Sequence, residues 1–92
     1  MSVLSSNEIN QQLASIPEWQ LKNGELSRTF TFDDFREAMS FVDSVAGLAE
    51  RAGHHPDIDI RYNKVHLALS SHDAGGITEK DFSLATGIGK IL

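Results

Sequence analysis

The chain has 92 residues, 40% of them hydrophobic, and its eight Lys+Arg against thirteen Asp+Glu give a formal charge of -5. With no basic cluster, that balance argues against a nucleic-acid binder, which needs Lys and Arg to neutralise phosphates. Cysteine is absent, which excludes a disulfide scaffold, a thiolate zinc site and a thiol nucleophile together. The length suits a single domain over 1–92, because a second would leave each half near the lower limit for folding alone. A domain this small buries only roughly 60–65% of its unfolded surface, so assembly with further copies would add stability. The first residues hold no basic region and no apolar run of signal-peptide length. No stretch nears the roughly 18 apolar residues of a membrane span, so a cytoplasmic protein is expected.

Ser5-x-x-Glu8 has capping-box spacing and predicts a short helix over 6–14, with Ile9 and Leu13 on one face and Pro17 ending it. Trp19–Lys22 and Leu26–Phe32 then read as two strands around Asn23-Gly24, a strong hairpin signal. Leu26, Arg28, Phe30 and Phe32 share one parity, and Arg28 is the blemish in that apolar face. Asp33 or Asp34 caps the clearest helix, over 34–52, where Phe35, Ala38, Met39, Val42, Val45, Ala46 and Ala49 recur at helical spacing and Phe41 and Leu48 widen the stripe. Gly53 sits where a C-terminal glycine belongs. Ile58, Ile60 and Tyr62 alternate with Asp57, Asp59 and Arg61; Val65, Leu67 and Leu69 alternate with His66, Ala68 and Ser70. After the loop Asp73-Ala-Gly-Gly, Thr78 caps a last helix with Phe82, Ala85 and Ile88 inward and Ile91 or Leu92 close to that face. The order α-β-β-α-β-β-α predicts an α+β domain, a four-stranded antiparallel sheet with three helices packed on one face. Its exposed strand edges favour pairing with another copy.

The second hairpin locates the chemistry. With Asn63-Lys64 as its turn, Tyr62 faces Val65, Ile60 faces Leu67 and Ile58 faces Leu69, so every pair is apolar on one face. Continued outward, this register sets His55 opposite His72 and His54 near Asp73. His66 lies roughly 20 Å from His72 along the strand and is left out of the site. Glu50, four residues before His54, can face that imidazole if the helix persists, and a Glu in a last turn opposes the helix dipole. Asp81 stands in the last helix's first turn, as the capping partner of Thr78, as a carboxylate for the site, or as both. Pro56 biases His55 toward an extended backbone. Plainer readings stand beside these: a solvated His-His loop, a surface Glu50, packing roles for Trp19 and Tyr62, and a solvated face of Asp57, Asp59 and Arg61. A metal is the weaker use of the histidines, because adjacent residues on an extended strand point to opposite sides.

The run Glu50-x-x-x-His54-His55-Pro56-Asp57, then Tyr62-Asn63-Lys64-Val65-His66-Leu67-x-Leu69-Ser70-x-His72, then Gly76-Ile77-Thr78-x-x-Asp81, resembles the pterin-4a-carbinolamine dehydratase family. The likeness extends upstream through Trp19, Phe30, Phe32, Phe35, Ala38 and Phe41. It implies a lyase that removes water from 4a-hydroxytetrahydropterin, the product of aromatic amino acid hydroxylation, to give quinonoid dihydropterin. It also implies a dimer or tetramer, with the pterin as substrate and no metal or redox cofactor. Carried over residue by residue, it makes His54, His55 and His72 catalytic and places pterin contacts at Gly53–His55 and at Ser70, Ser71, His72 and Asp73. Two departures stand out: Gly53, where relatives often carry an acidic residue, and Ala74, where animal members carry cysteine.

The chemistry suits these residues. Expelling hydroxide needs a general acid, and forming the C=N bond needs a base for the N5 proton. Imidazole serves either role near neutral pH. His54 and His72 are the expected acid–base pair, in either assignment; His55 positions the substrate, and Glu50 or Asp81 orients or charges an imidazole. The alternative is a non-catalytic dimerisation or interaction module, since animal relatives also serve as dimerisation cofactors of a homeodomain transcription factor.

Overall fold

The computed structural model describes residues 2–92. Local chemistry starts each helix. The hydroxyl of Ser5 accepts the Glu8 N–H at 3.1 Å and the Glu8 carboxylate accepts the Ser5 N–H at 2.8 Å, opening α1 (Ser6–Leu13). Two short strands follow, β1 (Gln20–Lys22) and β2 (Glu25–Thr31), around a turn in which Asn23 and Gly24 both have positive φ, 55° and 76°. Asp34 rather than Asp33 caps α2 (Phe35–Ala52), accepting the Glu37 N–H at 2.8 Å. That helix ends on Gly53, left-handed at φ 62°, and the His54 N–H reaches back to the Ala49 carbonyl at 3.2 Å. β3 (Asp57–Arg61) and β4 (Lys64–Leu69) form the second hairpin, and α3 (Glu79–Lys90) starts from a Thr78–Asp81 capping box.

The strands pair antiparallel in the order β1-β2-β4-β3, which makes β3 an edge. The three helices lie on one face. There Leu26, Phe30, Val65, Leu67 and Leu69 of the sheet pack against Ile9, Phe41, Val45, Phe82, Ala85 and Ile88 of the helices, with Trp19 edge-on to Phe30. A Cβ at Gly87 would stand 3.1 Å from Leu48, so the glycine lets α3 lie close on α2. Arg28 shares the apolar parity without wasting it: its guanidinium stacks 4.3 Å above the Phe30 ring. The opposite face of the sheet carries Thr29, His66 and Asp59 side by side.

Several expectations are corrected. The second turn is Tyr62-Asn63, with Arg61 opposite Lys64 and Ile58 opposite Leu67, two residues from the expected register. Asn63 is tied to β2: it takes the Phe32 N–H on its carbonyl and gives its side-chain amide to the Phe32 carbonyl, both at 2.9 Å. Lys64 is held in the ladder opposite Thr31, so Tyr62 bends into the left-handed region at φ 53° instead. A shift of two residues preserves parity, which is why the inward faces survive. Phe35 and Met39 were expected inward but are 50% and 38% exposed, because the buried stripe of α2 runs through Ala38, Phe41, Val45 and Ala49. Ile58, Tyr62 and Leu92 are also exposed, the first two because no helix covers the β3 edge.

Candidate active site

Three chain reversals build the site. The left-handed Gly53 turns the backbone off α2, so His54 and His55 leave the helix instead of prolonging it. Beyond β4 the Ser71 carbonyl accepts N–H groups from Ala74 and Gly75 at 3.0 and 2.9 Å, and Ser71 bridges to Gly76, which sets His72 and Asp73 on a tight loop. The start of α3 brings Asp81 underneath. Between them lies a cavity of about 400 Å³, lined by Gly53, His54, His55, Ser70, Ser71, His72, Asp73, Ala74 and Lys80. That volume suits a small ligand. Every residue expected to touch substrate is on this wall. The three imidazoles line one cavity without facing one another across the hairpin: continued past its last pair, Asp57 with Ala68, the register sets Ser70 and not His72 opposite His55.

The carboxylates pair differently from expectation. Glu50 does not face His54; its Oε2 accepts from His55 Nε2 at 2.5 Å. Gly53 ends the helix before His54, so the helical i, i+4 relation never forms. His54 Nε2 instead reaches Asp81 Oδ1, also at 2.5 Å. Asp81 is fully buried and its second oxygen accepts from the Ser71 hydroxyl and the Thr78 N–H, each at 2.9 Å. Thr78 and Ser71 hydroxyls lie 2.7 Å apart and complete the chain. Asp81 is thus both capping partner and site carboxylate. A carboxylate can only accept, so with Asp81 as carboxylate this contact places a proton on Nε2 of His54, and in the neutral ring Nδ1 then holds the lone pair. His72 is exposed, with Nε2 3.4 Å from the Ser70 hydroxyl. Pro56, half-buried, follows the histidine pair without lining the cavity. His66 lies elsewhere, its Nδ1 2.8 Å from the Thr29 hydroxyl.

Lys80 escaped the sequence reading. A lysine in a first turn opposes the helix dipole, and that mismatch was the available signal. Among the described residues, the group with convergent metal-ligand atoms is Glu25, Asp57 and His72, within 4.8 Å of one another, and not the three histidines.

An α+β scaffold thus gathers three imidazoles on one cavity, two of them bonded to carboxylates. The model of the family described as Pterin 4 alpha carbinolamine dehydratase matches residues 2–91. A Chloroflexus aurantiacus protein, provisionally named a pterin-4-alpha-carbinolamine dehydratase, is 60% identical over 100% of this chain and 99% of its own length. One from Acidobacterium capsulatum, provisionally named likewise, is 54% identical over 100% of both chains. The crystal structure of a transcriptional coactivator/pterin dehydratase from Brucella melitensis superposes with a TM-score of 0.93 at 33% identity, over 98% of each chain. A pterin dehydratase-like protein identified as a RuBisCO assembly factor in the alpha-carboxysome reaches 0.65 at 26% identity, over 79% of this chain and 84% of that one. The chain belongs to the pterin-4-alpha-carbinolamine dehydratase family.

Proposed function

We propose that this protein is a cytoplasmic lyase that dehydrates 4a-hydroxytetrahydropterin to quinonoid dihydropterin, recycling the pterin of aromatic amino acid hydroxylation. The observation that carries the reading is the buried Asp81 carboxylate on His54 Nε2, which leaves Nδ1 as a positioned base. In the reaction the C4a–O bond breaks and the hydroxyl leaves as water with a proton from an acid. The N5–H proton goes to a base, and its electron pair forms the C4a=N5 bond. His54 takes the N5 proton, His72 protonates the leaving hydroxyl, and His55, with Glu50, positions the ring. Backbone groups of Gly53–His55 and Ser70–Asp73 meet the donor and acceptor edge of the pterin. The steps are proton transfers alone, so the reading requires no resident metal or redox cofactor. Exposed Ile58 on the edge strand β3 and Tyr62 in the turn after it support assembly into a dimer or tetramer.

The test is decay of the absorbance of enzymatically generated 4a-hydroxytetrahydropterin, set against its spontaneous loss. The wild-type protein should accelerate it at catalytic concentration. His72→Ala should lower kcat by about 10²–10⁴-fold while leaving the thermal midpoint nearly unchanged. Wild-type protein that is folded but no faster than buffer would sink the reading. An interaction module is the second reading. The exposed Phe35 and Met39 of α2 favour it, as do the coactivator and assembly-factor descriptions of two structural relatives.

A further inference from the structure

The cavity of the three imidazoles has a neighbour. A second cavity, of about 420 Å³, adjoins it, and His54 and Lys80 line both. Its other walls are Leu48, Ala52, Glu79, Ser83 and Leu84. Leu84 is buried and Leu48 half-buried, so its floor is apolar, while Glu79, Lys80 and Ser83 form an exposed polar rim. Glu79 is engaged by the Gln12 amide at 2.5 Å, whereas Lys80 makes no ion pair among the described residues.

The chemistry of the pterin says what would enter this space. N5 is bonded both to C4a, which loses the hydroxyl, and to C6, which carries the ring's variable substituent. A substrate whose N5 meets His54 therefore projects that substituent along the imidazole shared by the two cavities. We propose that the second cavity is the subsite for the C6 substituent, and that it selects an arylaminomethyl group ending in a carboxylate over a methyl group or a short polyol. This rests on the dehydratase reading and deepens it. An aryl ring would bury apolar surface against Leu48, Ala52 and Leu84, which a polyol would not. Lys80 supplies the cation for the terminal carboxylate.

The experiment compares two product-like ligands that differ only at C6, 7,8-dihydropteroate and 6-methyl-7,8-dihydropterin, by titration calorimetry on the full chain. Dihydropteroate should bind about tenfold tighter or more. Ala52→Trp and Ser83→Trp, which fill the cavity from different helices, should each bring the ratio of the two Kd values close to one. Lys80→Gln should lower it by about threefold. Equal Kd values in the wild-type protein, or a ratio that neither tryptophan moves, would overturn the proposal. If the methyl compound binds and its 4a-hydroxy form is dehydrated while the ratio is one, only the subsite falls. If the methyl compound does not bind and its 4a-hydroxy form is not dehydrated faster, the dehydratase reading falls and the subsite with it.

Discussion

His54 and His55 are consecutive, and each sets Nε2 2.5 Å from a carboxylate oxygen. Their surroundings differ. The side chains of His54 and Asp81 are 13% and 0% exposed, and those of His55 and Glu50 are 64% and 75% exposed. Water and salt screen the second pair, and a flexible Glu50 must be ordered to make it. The first pair has no such competition. Asp81 is held by three donors, so its position is dictated by the fold before any ligand arrives. Equal distances therefore describe two devices: a fixed brace for one imidazole and an adjustable contact for the other.

The comparison can be broken most forcefully at Asp81. Asp81→Ala should cost about 3–5 kcal/mol in chemical denaturation, because it strands buried donors around a lost charge. Asp81→Asn is the sharper probe. With its amide oxygen kept as acceptor for the Thr78 N–H and the Ser71 hydroxyl, its amide nitrogen faces His54 and donates, so the ring should invert its tautomer and put the proton on Nδ1, visible in the ¹⁵N shifts of the imidazole. In the proposed mechanism kcat then falls by about 10²–10⁴-fold with much less loss of stability. Next comes the hinge between the two histidines and α2. Gly53→Ala meets no neighbour within 4 Å, so its cost is backbone strain alone, about 1–2 kcal/mol, and Gly53→Asn should cost less. Unequal recovery of kcat between the two would show that the hinge sets His54.

At the exposed pair, Glu50→Gln should change stability by less than about 1 kcal/mol and turnover only a few-fold, with the difference shrinking in high salt. A loss as large as that of Asp81→Asn would erase the distinction between the pairs. The smallest effect lies away from both, at α1. Ser5 holds the Glu8 carboxyl below its ordinary value of 4.5, first through its backbone N–H and then through its hydroxyl. A lowered folded value means the capping contribution is complete above 4.5 and fades as pH drops through the folded value. Glu8→Gln should flatten that part of the acid denaturation curve.

The contrast was half legible in the sequence. Periodicity found every element because the faces of α2, β2 and β4 are apolar at fixed spacing, and the spacing from Thr78 to Asp81 announced the capping box. The pairing of carboxylates was not legible, since it depends on one backbone angle at Gly53 and on a register set by Asn63. Asn63 bonds to Phe32, distant in sequence, so no local turn rule predicts that Tyr62 takes the left-handed place. Phe35 and Met39 misled for a related reason: their spacing is helical, but α2 has more apolar surface than its side of the sheet can cover.

The capping box of α3 has one more consequence. The carboxylate that closes this helix's first turn is the one that braces His54, so forming the turn and fixing the imidazole are a single event. Amide hydrogen exchange at Thr78, whose N–H is bonded to Asp81, then doubles as a meter of how much protein holds His54 in place. Any condition that frays the start of α3 should release the imidazole in the same proportion, and in the proposed mechanism lower turnover with it, long before the core of the sheet opens.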